Sequence, residues 1–187
     1  QKRKLKLGVV LLGRGNPFYE DVLLGIREKA AELESYNCTV LIRQTDYDRE
    51  EQLAAIDELL SEGINGLALS PYNANAVRRK INELYEKNIP VVTLNTDIEN
   101  SRRIAYVGCH YFRSGQTAAG LMRLMTSGQV YTGIISGSGN VLCHTERIAG
   151  FKDGIKNCEN IHISATITNQ DDDFESYEMT ARLLKSH

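Results

Sequence analysis

Few residues in this chain have both the type and the spacing that catalysis needs. Gly13, Arg14 and Gly15 lie between an apolar run and an amphipathic one, which is two-thirds of the glycine pattern that cradles a dinucleotide pyrophosphate. The third glycine position holds Phe18, whose bulk would spoil the close helix-to-strand approach, so a nicotinamide enzyme is disfavoured even though Asp46 stands where a ribose-binding acid would. Gly137, Ser138 and Gly139 lack the Gly-x-Ser-x-Gly spacing of a nucleophile elbow. His144 has no companion that would make it a general base and reads as a surface or polar-satisfied histidine. Cys38, Cys109, Cys143 and Cys158 are too scattered for a zinc site and too sparse for a disulfide scaffold. They read as four small buried thiols, a usage that favours a reducing cytoplasm. No catalytic set, metal or cofactor is expected.

The elements around these residues form a repeated pattern, a short apolar run followed by a helical stretch, which predicts a parallel sheet covered by helices. Leu5–Leu12 is the first strand, and Gly13 to Pro17 is a turn whose proline suits a helix start. Phe18, Val22, Ile26, Ala30 and Leu33 then recur at helical spacing. The spacing next predicts a strand over Thr39–Ile42, a helix capped by Asp48 with Leu53, Ile56 and Leu60 buried and Gly63 closing it, and a strand over Leu67–Leu69. A helix carrying Val77, Ile81 and Leu84 and a strand over Pro90–Leu94 follow. There the rhythm changes, because only a polar loop, Asn95–Arg103, separates that strand from a short one at Ile104–Val107, which reads as a crossing to a second lobe. That lobe begins near Gly108 and has helices over Gly115–Met125, Arg147–Lys156 and Tyr177–Leu184, with strands over Val130–Ser136 and Ile161–Thr168. The expected organisation is an N-terminal lobe over 1–108 and a partial C-terminal lobe over 109–187, joined without a flexible tether and with the second lobe truncated.

The 187 residues are 42% apolar and 25% charged, enough to bury a core. With 22 Lys and Arg against 24 Asp and Glu, the net charge of −2 supplies no field for nucleic acid or anionic lipid. The basic cluster Lys2, Arg3, Lys4 and Lys6 reads as a solvated lead-in to the first strand. No apolar run reaches the roughly 18 to 20 residues needed to span a bilayer, and membrane insertion is not expected. Gln1 opens no signal segment, and the missing initiator Met marks a processed or engineered boundary.

Four segments stand out in order and spacing: Leu7–Leu12 with Asn16, Pro17, Phe18 and Tyr19; Gly63 to Gly66 running into Leu67–Ser70; Ile89 to Val92 running to Asp97, with Ala105 to Gly108; and Glu146, Arg147, Gly150 and Phe151. Together they resemble the periplasmic sugar-binding proteins and the effector domains of LacI/GalR-type transcription regulators. The resemblance implies an α/β fold of two doubly wound parallel-sheet lobes, the type I periplasmic-binding-protein fold, closing over a ligand at the carboxyl ends of the strands. Ligands of open α/β sheets sit beyond the strand C-termini in any case.

At those ends, Asn16, Phe18 and Tyr19 offer an amide for hydroxyls and an aromatic face for the C–H side of a sugar ring, although Phe18 also fits as the start of the helix stripe. Ser70 and Tyr72 follow the third strand with Asn73, and a surface turn explains them equally well. Asn95 and Asp97 follow the fourth strand, and the resemblance implies that Asp97 is a sugar-gripping carboxylate. It also implies that Arg147 directs its fork at ligand oxygens, while a surface pairing with Glu146 or Asp153 stays open. Ser138 and Asp171 complete the ligand-binding set, and Asp171 to Asp173 read equally as a helix-capping acidic run. The expected function is that of a regulator's effector domain in the cytoplasm. It would bind a sugar or polyol and dimerise with a second copy, and it would reach DNA only through an N-terminal headpiece that this chain lacks. The alternative is a periplasmic or extracellular sugar-binding protein of an ABC transporter.

Overall fold

A computed structural model describes residues 4–169 and 171–185, so Lys2 and Arg3 of the basic lead-in lie outside the described residues. The chain forms two compact units, Gln1–Gly108 and Cys109–His187.

In the first unit the elements run β1 (Leu5–Leu12), α1 (Phe18–Glu34), β2 (Cys38–Thr45), α2 (Arg49–Ser61), β3 (Gly66–Leu69), α3 (Asn75–Glu86), β4 (Val91–Leu94) and β5 (Ala105–Val107). All five strands pair in parallel, in the order β2-β1-β3-β4-β5. The α/β, doubly wound expectation holds. The carboxyl half of β1 is buried on both faces, and β3 and β4 are buried mainly on one, which is why these strands read as nearly continuous apolar runs. Val9 and Leu11 point toward α1 with Tyr19, while Val10 points the other way, toward the side chains of α2 and α3. The α3 stripe is as predicted, with Val77, Ile81 and Leu84 all buried. Each such side chain contributes about 1.5 to 3 kcal/mol of burial.

The α2 stripe is rotated by one position. Its fully buried residues are Gln52, Ala55, Ile56 and Leu59, with Leu53 and Leu60 packed at the flanks. Asp48 is the cap predicted, its Oδ1 accepting from the Glu51 N–H at 2.7 Å. Asp48→Ala should therefore cost about 1 kcal/mol in urea unfolding, without changing the slope of the transition. The strands β4 and β5 pair in parallel across the polar loop, with no helix between them.

The second unit runs α4 (Tyr111–Met125), β6 (Val130–Ser136), α5 (Leu142–Ile155), β7 (Ile161–Thr168) and α6 (Asp173–Lys185). β6 and β7 pair in parallel with a register shift between Thr132 and Gly133. Ala119, Ile155 and Ile161 form its core with Met122, Val130, Phe151 and Ile163 around them. All three helices begin earlier than expected. The four buried thiols are also corrected: Cys38 and Cys143 are buried, Cys158 is half-buried and Cys109 is exposed. Among the described residues no helix is long and apolar enough to cross a membrane.

Candidate functional site

In an open parallel sheet the crevice forms where the strand order reverses, and here that point lies between β1 and β3. The turn after β1 is built around Gly13, whose φ of 87° suits glycine. A Cβ there would stand 2.6 Å from the Tyr47 hydroxyl. Gly13 thus has a packing role of its own, making room for a tyrosine ring rather than for a phosphate. Tyr47 in turn accepts from Asn16 Nδ2 at 3.2 Å, and Asn16 Oδ1 accepts from the Phe18 N–H at 2.9 Å, which starts α1.

The two consecutive aromatics divide their work. Tyr19 is 4% exposed and its ring belongs to the α1 core, whereas Phe18 is 55% exposed and meets Tyr19 edge-on at 5.1 Å. The Tyr19 hydroxyl lies 2.9 Å from Ser70 Oγ, and Asn95 Nδ2 donates to it at 3.1 Å. One buried phenol therefore ties the first turn of α1 to the residues that follow β3 and β4. Asn95 sits in the left-handed region, with φ of 61°, where asparagine is tolerated better than most residues. Its carbonyl accepts from the Tyr106 hydroxyl of β5 at 2.9 Å.

Asp97 stands in a different setting. Its side chain is only 15% exposed, Oδ1 accepts from Thr93 at 2.7 Å and Oδ2 pairs with Arg103. The carboxylate arrives already neutralised by a guanidinium whose Nε is buried without a hydrogen-bond partner among the described residues. Ser70 is fully buried, and Tyr72 packs half-buried against the core below α2 and α3. Both are held by Gln52, whose Nε2 donates to the Ser70 carbonyl at 2.9 Å and whose Oε1 accepts from the Tyr72 N–H at 2.8 Å.

In the second unit Ser138 is buried, with Oγ accepting from the Asn140 N–H at 3.3 Å. The Arg147 guanidinium lies over the Tyr111 ring, 4.3 Å from its centroid, so α4 aims the side chain that α5 carries. Of the acidic run, Asp172 caps α6, accepting from the Glu175 N–H at 2.6 Å. Asp171 is left free of that task, held at φ of 60° with its N–H donating to Asn169 Oδ1 at 3.0 Å.

Of the predicted residues, the structure brings Phe18, Tyr19, Ser70 and Asn95 together directly and Asn16 beside them through the turn. Asp97 is bonded to Thr93 and Arg103, and Tyr72 serves the core. Sequence reading missed Gln52, Tyr47, Arg103 and Tyr106. Only Arg103, a base six residues from an acid within one polar loop, carried a signal that could have found it.

Residues 7–187 match the family of the periplasmic binding protein domain. The ribose import binding protein of Haemophilus influenzae is 26% identical over 174 residues, 91% of this chain and 57% of that protein. Among solved structures, the XylFII–LytSN complex matches 99% of this chain and 67% of that one, at 28% identity and a TM-score of 0.87. The glucose-galactose binding protein GanP of Geobacillus stearothermophilus matches all of this chain and 66% of its own, at 26% identity and a TM-score of 0.87. The chain spans between 37% and 57% of the length of the curated relatives it matches.

Proposed function

Because the chain belongs to the periplasmic binding protein domain family, we propose that it is the sugar-binding part of a solute receptor serving a transporter, with a monosaccharide or related polyol as ligand. The observation that carries this reading is the Ser70–Tyr19–Asn95 hydrogen-bonded chain at the reversal of strand order, with the exposed Phe18 ring beside it. An aromatic face suits the C–H side of a sugar ring, while amide and hydroxyl groups fixed in place bind its hydroxyls. Two of the three similar proteins named above are a ribose import binding protein and a glucose-galactose binding protein, which supports a non-enzymatic receptor and favours transport, in a periplasmic or extracellular setting, over the effector domain of a regulator. The regulator reading, with its homodimer and its separate DNA headpiece, draws on the sequence resemblance alone.

On this reading Asn16, Phe18, Tyr19, Ser70, Tyr72, Asn95 and Asp97 serve the ligand from the first unit. Ser138, Arg147 and Asp171 serve it from the second. A thermal-shift series on the full-length protein with ribose, xylose, arabinose, glucose and galactose tests it. A true ligand at a hundredfold excess over its Kd should stabilise the protein by about 2.7 kcal/mol. No shift with any sugar rejects the reading. Asp97→Asn preserves shape and should weaken the binding sugar about tenfold, by loss of charge-assisted bonds. Unchanged affinity would remove Asp97 from the contact set and leave it the loop-holding role that Thr93 and Arg103 already give it. A monomer at every concentration fits the transport receptor, and a dimer whose strength depends on sugar fits the regulator.

A further inference from the structure

We propose that His144 contacts the ligand directly on the second unit, and that with Arg147 and Asp171 it selects uncharged, hydroxyl-bearing ligands over anionic ones such as sugar acids. The inference rests on the sugar-binding reading above and assigns a role to a residue that sequence alone left as a surface histidine.

The geometry begins at Gly137, which follows the last residue of β6. A Cβ at Gly137 would stand 2.7 Å from His144 Nε2 and would collide with the carboxylate of Asp171. Imidazole and carboxylate therefore converge on one spot, and they can do so only because position 137 has no side chain. His144 and Arg147 are three residues apart on α5 and so share a face. Both line a cavity of about 510 Å³ along with Ser114, Ser136 and Gly137. The Arg147 end is anchored on Tyr111. The His144 ring is half-buried, and its nitrogens take no hydrogen bond from the described residues. An acid, an imidazole and a base thus stand at the carboxyl end of β6 and the loop after β7, where parallel sheets place their ligands.

The charge state follows from the surroundings. Burial holds the His144 imidazole below its ordinary pKa; Asp171 pulls it back up and Arg147 pushes it further down. Asp171 comes from the loop between β7 and α6, and Arg147 from α5 itself. α4 brings only the uncharged Ser114, Gly115, Ala118 and Met122 to the cavity, and β6 brings no charged group. At neutral pH the imidazole is uncharged, with one nitrogen donating and the other accepting. A sugar hydroxyl has the same complement. Asp171 and Arg147 cancel one another, so the trio has no net charge with which to prefer an anion. Protonating His144 would replace an acceptor with a second cation beside Arg147, favouring anions and penalising neutral sugars.

Calorimetric titration of the full-length protein with ribose, galactose and the anionic galacturonate, from pH 5 to pH 8, reads this directly. For the neutral sugar that binds, affinity should be flat at high pH and fall as pH drops through the folded pKa of His144, which lies below 6.5. His144→Ala should weaken that sugar about tenfold at pH 7.5 and flatten the acid limb. His144→Gln, which keeps a donor and an acceptor, should recover much of the affinity but not the pH dependence. The imidazole resonances of His144 should also move on sugar addition. Wild-type affinity in His144→Ala, or galacturonate binding as tightly as its neutral counterpart at pH 7.5, overturns the inference and leaves the sugar-binding reading standing. If no neutral sugar binds at any pH, that reading falls, and this inference with it.

Discussion

Gly150→Ala should destabilise the second unit by about 3 kcal/mol or more, enough to lower its melting temperature by roughly 12 °C or more at the size of this unit. A Cβ at Gly150 would collide with the Phe112 carbonyl oxygen of α4 and lie 2.7 Å from its carbonyl carbon. The reverse relation holds at Gly115 of α4, whose Cβ would collide with the Arg147 carbonyl oxygen of α5 and lie 2.7 Å from the Phe151 nitrogen. Both obstacles are helix backbone, so no side-chain rotation relieves them, and α4 and α5 must part. Parting them would open the core around Ala119 and Ile155 and lift Arg147 off the Tyr111 ring. The two substitutions share one consequence and should not add: in Gly115→Ala/Gly150→Ala the second change meets helices already separated. Gly120→Ala is the control, since a Cβ there meets nothing within 4 Å, and replacing this mid-helix glycine should stabilise by about 0.5 to 1 kcal/mol. A melting temperature for Gly150→Ala within a degree or two of wild type would mean that the close approach of α4 and α5 is wrong.

The same helices show where local pattern stops being informative. β1, β6 and β7 have the bounds expected of them, because runs of apolar and β-branched residues between turns mark strands, whether buried as in β1 or alternately exposed as in β7 and the start of β6. The starts of α4 and α5, four and five residues before the expected Gly115 and Arg147, were invisible. They open on His110 and Val141, neither of which caps with its side chain, so no Ser, Thr, Asp or Asn marked the boundary. β2 runs to Thr45 rather than stopping at Ile42, since an edge strand tolerates Arg43, which reaches Glu58 of α2 and Glu62 just past its end. The candidate site divides in the same way. That Asn16, Ser70 and Asn95 stand at strand ends was legible, because a strand end is where an apolar run breaks. That Tyr19 joins Ser70 and Asn95, 51 and 76 residues away, was not, because only the sheet order sets those pairings.

Gln52→Ala should cost about 3 to 5 kcal/mol and weaken sugar binding, although Gln52 is not among the residues assigned to the ligand. Its side chain is fully buried in the apolar stripe of α2, a position that helical periodicity would give to leucine. It persists because the chain leaving β3 has backbone groups that no strand partner satisfies. The amide pairs with two of them, the Ser70 carbonyl and the Tyr72 N–H. Removing it strands both in a dry interior, at about 1 to 3 kcal/mol each, and leaves a void besides. Gln52→Leu separates the two terms, since it refills the space but cannot make either bond. If hydrogen bonding dominates, the leucine variant should be nearly as unstable as the alanine variant in urea unfolding. A leucine variant within 0.5 kcal/mol of wild type would show that water or a backbone shift satisfies the turn instead. The effect on the site follows from the same bonds. Ser70 Oγ is placed by its backbone, and the Tyr19 hydroxyl and the Asn95 amide are placed in turn by Ser70. Loosening that turn should lower sugar affinity even under conditions where the variant is fully folded, so a stable Gln52 variant with undiminished affinity would break the link between this buried amide and the ligand.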